Sequence, residues 1–190
     1  MKSSMLFQKC FLKYFLLCAA IWTSTCPGKS MTIPLRDITE VEAVQMRCIS
    51  SEYSIMLPIP ERWDVKKASI KFSYYNSAAL IKKNSQLVIG LNGVPLAQIK
   101  LDPLAPEGSV EVELPPLLLD ADYNHLAFSV SQHYATECEQ PCMPELWTKV
   151  MADEATLQIE YDLKPVPTRI SAVSDFLFDP KIFPEANINL

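Results

Sequence analysis

The sequence has few glycines and few histidines, and these shortages argue against a phosphate-binding loop and a metal site. No glycine-rich loop is available to wrap a phosphate group, because only four glycines occur in 190 residues, at positions 28, 90, 93 and 108. The two histidines are His125 and His133, and one Cys-x3-Cys pair, Cys138 and Cys142, lies nearby. Because zinc sites of this kind normally take two spaced ligand pairs, we expect neither a metal nor a cofactor.

The chain also lacks clustered positive charge. Its lysines are scattered, as in the pairs at 66–67 and 82–83, and 17 basic residues face 22 acidic ones, for a net charge of −5. Without the leader described next, 14 basic and 22 acidic residues remain, a net charge of −8. A protein that binds the phosphate backbone of nucleic acid needs a basic face. We therefore expect no nucleic-acid partner.

No apolar run is long enough to span a bilayer, which takes about 20 residues. The run from Tyr14 to Trp22 follows three lysines and precedes small polar residues, the pattern of a secretory signal peptide. We predict a signal peptide over residues 1–25, one β-sandwich domain over 26–184, and a tail or the start of a linker over 185–190. A retained anchor or a lipidated Cys26 is the alternative to cleavage. The mature chain is expected in the periplasm, without a C-terminal transmembrane helix.

Three cysteines follow the predicted leader, and an exported protein meets an oxidising compartment. Cys48, Cys138 and Cys142 are the disulfide candidates. A Cys138–Cys142 bridge would close a small loop stiffened by Pro141, whereas a bridge from Cys48 to either would tie the N-terminal segment to the domain body. The odd count leaves one thiol unpaired, unless Cys26 stays in the chain. The sequence leaves these pairings open.

Short runs of alternating apolar and polar residues predict half-buried β-strands, at 68–74, 110–114, 125–130 and 156–161. Between 86–91 and 94–101, Asn92-Gly93 is the pair that best tolerates the positive φ angles of a two-residue hairpin turn. Prolines outnumber glycines by 15 to 4 and separate the strand candidates. These patterns predict an all-β fold, an antiparallel jelly roll or β-sandwich. Single helical turns are expected at 117–120 and 145–152.

Aromatic side chains are the best candidates for binding, since apolar sugar faces lie flat on aromatic rings. We predict carbohydrate contact for Trp147, Tyr75 and Tyr134; packing at the end of the sandwich is the alternative for Trp147. The carboxylates of Glu111 and Glu113 alternate on one outward strand face, where solvated glutamates are ordinary, although a glycosidase also needs two carboxylates about 5 to 9.5 Å apart. We expect no catalytic residues and no enzyme.

Several motifs follow one another in a family-specific order. A Cys-Glu-x-Pro turn followed by Leu-Trp lies within the stretch from His133 to Thr148. The hairpin from Ser85 to Gly93 is similar to Ser-x-Leu-x-Val-x-Leu-Asn-Gly, and the segment from Asn124 to Phe128 to Asn-x-Leu-x-Phe. Over about residues 32–184 the ordered set resembles the N-terminal module of the BcsB family, the periplasmic subunit of bacterial cellulose synthase.

The resemblance implies a non-catalytic, carbohydrate-binding-type jelly roll beside the path of an emerging β-1,4-glucan. Its implied partner is the glycosyltransferase subunit of cellulose synthase at the inner membrane, and its implied role is to assist glucan export. Family members are often named cyclic di-GMP-binding proteins, but direct binding is not expected: an exported domain does not meet the cytosolic nucleotide, and the four arginines form no spaced pair. The alternative function is a free-standing envelope interaction module, an adhesin-like sandwich that binds protein rather than glucan.

Overall fold

The computed structural model describes residues 28–165 and 168–170. The predicted signal peptide, Cys26 and the tail at 185–190 lie outside the described residues. The described strands form two antiparallel sheets. The first sheet has the order β1-β9-β4-β7, and β2 also pairs with β9. The second sheet has the order β3-β8-β5-β6. The strands are β1 (Lys29–Pro34), β2 (Ala43–Arg47), β3 (Ser50–Pro58), β4 (Trp63–Asn76), β5 (Gln86–Leu91), β6 (Val94–Lys100), β7 (Glu107–Glu113), β8 (Tyr123–Ser131) and β9 (Trp147–Leu163).

Alternating side chains from both sheets fill the space between them. On β4 the buried residues include Ile70 and Phe72, and on β8 they include Leu126 and Phe128. The rings of Phe72 and Phe128 meet edge to face, with centroids 5.2 Å apart, so the two sheets contact through their central strands. Because apolar burial is the main force that holds such layers together, the predicted all-β antiparallel sandwich is confirmed and its cause is the period-2 pattern.

Two glycines are required by the local backbone. The predicted hairpin joins β5 to β6, and Asn92 and Gly93 have φ angles of 49° and 82°, as a primed turn demands. Gly108 of β7 lies opposite Tyr74 of β4, and a Cβ atom at this position would come within 2.6 Å of the Tyr74 hydroxyl oxygen. The absent side chain therefore lets the Tyr74 ring lie across the neighbouring strand.

The predicted helical turn at 145–152 is wrong, because β9 begins at Trp147 and continues to Leu163. The buried positions of β9 change phase near its middle, where Asp153 and Glu154 are consecutive and exposed. At this point the register with β4 jumps from Lys71↔Thr156 to Ser73↔Met151, so β9 carries a large bulge. The bulge hides the alternation that would have identified one long strand.

Two short helical segments complete the described chain. A 3-10 turn covers Pro116–Leu118, close to the turn predicted at 117–120. Helix α1 (Arg36–Thr39) lies between β1 and β2. Among the described residues, no helix has both the length and the apolar character to cross a membrane.

Removal of buried apolar volume should destabilise the sandwich, whereas the same change on the surface should not. Leu126→Ala at 0 % exposure is expected to lower the free energy of unfolding by about 2–5 kcal/mol. Leu117→Ala, the same substitution at 99 % exposure, should stay within about 0.5 kcal/mol of the parent. Urea unfolding measures both. Equal losses for the two variants would contradict the packing described here.

Candidate functional site

The Glu139 carboxylate organises the loop between β8 and β9, here called the motif loop (residues 133–146). Its Oε1 accepts hydrogen bonds from the backbone N–H groups of Tyr134 and Ala135, at 2.6 and 2.8 Å. Its Oε2 lies 2.6 Å from Nδ1 of His133, and the side chain is only 8 % exposed. The Ala135 N–H, then the His133 imidazole and the Tyr134 N–H, hold the pKa of Glu139 below its usual range. The Glu of the Cys-Glu-x-Pro motif is therefore a structural clamp.

The motif loop also holds the turn where the chain passes from the first sheet to the second. Cys48 occupies that turn with a φ angle of 70°, and it forms a disulfide with Cys142. Of the pairings that the sequence leaves open, the structure thus contains Cys48–Cys142, one of the two that tie the N-terminal segment to the domain body. The Ile49 N–H donates to the Pro141 carbonyl at 2.8 Å. Among the cysteines described, Cys138 is unpaired and exposed.

A buried glutamine completes this attachment. Gln132 is fully buried, and its Nε2 donates to the Cys48 carbonyl at 2.8 Å. Its Oε1 accepts from the Thr148 hydroxyl at 2.7 Å, which joins the end of β8 to the start of β9. Sequence reasoning missed Gln132, because its amide finds partners only when three separate segments meet. The sequence gives one local sign of its role: Gln132 is polar at a position where the alternation of β8 calls for an apolar residue.

The other two family motifs meet at the opposite end of the sandwich. Asn124 is fully buried, and its Oδ1 accepts hydrogen bonds from Nδ2 of Asn92 and from the Asp120 N–H, both at 2.8 Å. Asn92 also donates to the Leu118 carbonyl at 2.7 Å and accepts from the His125 N–H at 2.8 Å. These asparagines fasten the hairpin turn to the segment that leads into β8, so this motif pair also has a structural role.

The structure separates Tyr134 from the other two predicted sugar-binding residues. Tyr134 packs against the core, and its hydroxyl oxygen accepts from the Gln140 N–H at 3.1 Å. Tyr75 and Trp147 instead share the outer face of the first sheet. Tyr75 is 36 % exposed, and the preceding residue, Tyr74, is partly buried and points to the other face, as the alternation on β4 predicts. Trp147 is half-buried and precedes the fully buried Thr148, so its side chain also points outward.

Strand register makes Tyr75 and Trp147 neighbours. Tyr75 of β4 lies directly opposite Lys149 of β9, and Trp147 is two residues from Lys149 on the same face. Diagonal neighbours of this kind are about 7–8 Å apart, within reach of aromatic side chains. Polar side chains surround the two rings. We call this surface the aromatic face, formed by Tyr75, Trp147, Lys149, Gln45, Arg47 and Glu107, which pair across β7, β4, β9 and β2.

The aromatic face combines apolar rings with polar side chains. Two flat apolar rings lie among amide, ammonium, guanidinium and carboxylate groups that can hydrogen-bond to hydroxyls. Glu111 and Glu113 point outward on β7, as predicted, on either side of the buried Val112, and Glu111 accepts from the Ser69 hydroxyl at 2.9 Å. In the part of the chain that the structure describes, no group of three or more His, Cys, Asp or Glu side chains is placed to hold a metal ion.

Comparison with known proteins identifies the family. Residues 28–163, from the start of β1 to the end of β9, match the family described as "Cellulose synthase BcsB, first CBM domain". The chain belongs to the BcsB family. A "Cyclic di-GMP-binding protein" of Pseudomonas fluorescens (strain SBW25) is 29% identical over 143 residues, which cover 72% of this chain and 18% of that relative. A protein of the same name from Xanthomonas axonopodis pv. citri (strain 306) is 26% identical over 127 residues, covering 66% and 16%.

This BcsB-family chain thus spans less than a fifth of the length of these relatives. Among solved structures it is similar to the "EclA C-terminal domain; sugar-binding protein", with 8% identity and a TM-score of 0.39 over 73% of this chain and 84% of that one. A CBM61 module in complex with β-1,4-galactotriose gives 9% identity and a TM-score of 0.34 over 67% and 80%. Likenesses this distant carry no argument about ligands.

Loss of the disulfide should destabilise the domain, and loss of the Cys138 thiol should not. Cys48→Ser is expected to lower the free energy of unfolding by about 2–5 kcal/mol, because the bridge closes a chain segment of 94 residues. Cys138→Ser is the matched control and should stay within about 0.5 kcal/mol of the parent. Thiol labelling without reduction, followed by peptide mapping, should modify Cys138 and recover a Cys48–Cys142 peptide. A Cys138–Cys142 peptide would contradict the pairing.

Glu139 should make stability depend on pH. The pKa of Glu139 in the folded protein lies below the usual 4.5. The stability that its ionised carboxylate adds is therefore complete above about pH 4.5, and it is lost as the pH falls through the lower folded pKa. Glu139→Gln should therefore be less stable than the parent at about pH 7, and this difference should shrink by about pH 3. Glu137→Gln, an exposed neighbour in the same loop, is the control. A pH-independent difference, measured by urea unfolding, would count against the clamp.

Proposed function

We propose that the protein is a non-catalytic periplasmic subunit of a cellulose synthase complex, and that its sandwich assists export of the glucan across the envelope. The observation that carries this proposal is the aromatic face, because Tyr75 and Trp147 are neighbours on the outer side of a sheet. Membership of the BcsB family supports the connection with cellulose synthesis. The leader-like sequence and the Cys48–Cys142 disulfide support an oxidising location outside the cytoplasm.

The aromatic face suits a flat sugar polymer because it combines apolar rings, rigid strands and neighbouring polar side chains. Its rings offer apolar area, and they are held by strands whose backbone groups pair within the sheet. Lys149, Gln45 and Arg47 lie along β9 and β2 beside the rings, where they can reach sugar hydroxyls. Gln45 is already oriented by Arg47, whose Nη2 donates to its Oε1 at 3.3 Å. A surface built on rigid strands keeps this arrangement while a chain moves over it.

We further propose that the partner is the glycosyltransferase subunit and that this module does not bind cyclic di-GMP itself. The names of the two relatives belong to much longer proteins. In this chain Arg36 lies on α1, Arg47 on β2 and Arg62 just before β4, while Arg169 follows the last strand. Arginines spread over four segments do not offer the bidentate, paired recognition that phosphate groups favour.

Binding to insoluble cellulose tests the proposal. Trp147→Ala and Tyr75→Ala should each weaken adsorption by about tenfold, since an aromatic contact of about 1.4 kcal/mol corresponds to that factor. Trp147→Phe should retain most of the binding, because it keeps a flat ring. Leu117→Ala removes an apolar side chain that is more exposed than either ring, from the far end of the sandwich, and should bind like the parent. Unchanged adsorption of folded Trp147→Ala and Tyr75→Ala would end this assignment.

The adsorption assay also separates glucan binding from the alternative, an envelope module that binds protein. The parent protein should be retained by cellulose and should pass through an α-linked polysaccharide of similar particle size. Equal recovery from both materials would favour nonspecific adsorption and would leave protein binding as the better explanation.

A further inference from the structure

The outer face of the second sheet carries a shallow groove that none of the predicted site residues lines. Its volume is about 340 Å³, and its lining comes from all four strands of that sheet. Short residues form its floor. Ser54 of β3 lies opposite Ala127 of β8, Ala127 lies opposite Gly90 of β5, and Gly90 lies opposite Pro95 of β6. One small residue from each strand, in register, makes a trough that crosses the sheet.

The next outward-facing residues along the strands line the trough on both sides of this floor. One wall comes from Glu52 and Ser129, which are opposite each other and hydrogen-bonded at 2.7 Å, together with Val88. The other wall includes His125, whose backbone N–H is fixed by the Asn92 side chain. The wall rows lie two residues from the floor on each side, so they are about 13 Å apart, and the trough is roughly 14 Å long.

The trough reaches both edges of the sheet. In the strand order β3-β8-β5-β6, the floor residues Ser54 and Pro95 belong to the two edge strands. A ligand in the trough can therefore continue past the sheet in both directions. A closed pocket selects a small molecule, whereas this shape suits a stretch of a linear polymer.

We propose that this groove is a second carbohydrate site, which holds a single extended β-1,4-linked glucan chain across the strands. This inference rests on the proposed function for the class of ligand and adds a separate site on the opposite outer face. The polymer would lie over the small floor residues, with its hydroxyls within reach of the Glu52 carboxylate, the Ser129 hydroxyl and the His125 imidazole.

The groove chemistry favours sugar over an extended peptide. Peptides that bind sheets gain most of their affinity from unpaired backbone groups at an edge. The two central floor residues, Ala127 and Gly90, lie on strands paired on both sides, so they offer no free ladder. What the groove offers instead is a row of side-chain donors and acceptors. Because its lining has no Phe, Tyr or Trp side chain, the groove should hold each stretch of polymer more weakly than the aromatic face does.

Groove-filling variants of the full chain test the proposal, with cellohexaose as the probe. Ser54→Ile and Ala127→Ile place a branched side chain on the floor, where a half-exposed strand surface accepts it. Each should weaken binding at the groove by about tenfold or more, through steric exclusion. Ser50→Ile is the matched control, since Ser50 is exposed on the same face of β3, four residues away and outside the groove. It should bind like the parent.

Amide NMR titration locates the binding and separates the two proposals. Cellohexaose should shift the amides of Ser54, Gly90 and Ala127, and these shifts should persist in a Tyr75→Ala/Trp147→Ala variant and be absent with maltohexaose. Shifts confined to the aromatic face would overturn the groove and leave the proposed function standing. Shifts confined to the groove would support the groove assignment and overturn glucan binding by the aromatic face. No shift with cellohexaose, shifts produced by an extended peptide alone, or equal behaviour of Ser54→Ile and Ser50→Ile would overturn the groove assignment.

Discussion

The attachment of the motif loop to the turn at Cys48 and Ile49 is the constraint on which the rest of the structure depends. At that turn the chain leaves β2 in the first sheet and enters β3 in the second, so its position sets how the two sheets align. A disulfide, a backbone hydrogen bond from Ile49 to Pro141 and the amide of Gln132 fix it from the other side. The same contacts place the start of β9, and with it the outward direction of Trp147.

The motifs that identify the family are therefore mainly structural. Glu139 closes its own loop, and the paired Asn92 and Asn124 fasten the hairpin at the other end. Each satisfies backbone groups that would be costly to leave unpaired in a partly buried loop. Other positions of the same motifs face outward from the sheets, and these include Trp147 of the Leu-Trp pair and Ala127 of the Asn-x-Leu-x-Phe strand. The polar residues that define these motifs thus hold the ends of the sandwich, and the proposed glucan contacts come from their outward-facing neighbours.

Local pattern was sufficient where a contact is local. Alternation identified the strands around Phe72 and Phe128, and Asn92-Gly93 identified the hairpin, because side-chain period and turn geometry are properties of short segments. Alternation also gave the outward direction of Tyr75. It failed on β9, where the bulge between Met151 and Thr156 shifts the phase, and so it missed that Trp147 belongs to a strand. The disulfide pairing and the partners of Gln132 depend on segments far apart in sequence, which no local pattern encodes.

The groove shows the same limit most clearly, since small residues such as Ser54, Gly90 and Ala127 attract no attention until register aligns them. The packed core fixes the position of the groove relative to the aromatic face. The two surfaces lie on opposite sides of layers that pack about 10 Å apart, and the Phe72–Phe128 contact holds those layers together. If both surfaces take glucan, two stretches of one polymer can engage a rigid body, and the second contact gains from effective concentration. Weak individual sites then retain a chain without stopping it, which is what guidance of a growing polymer requires.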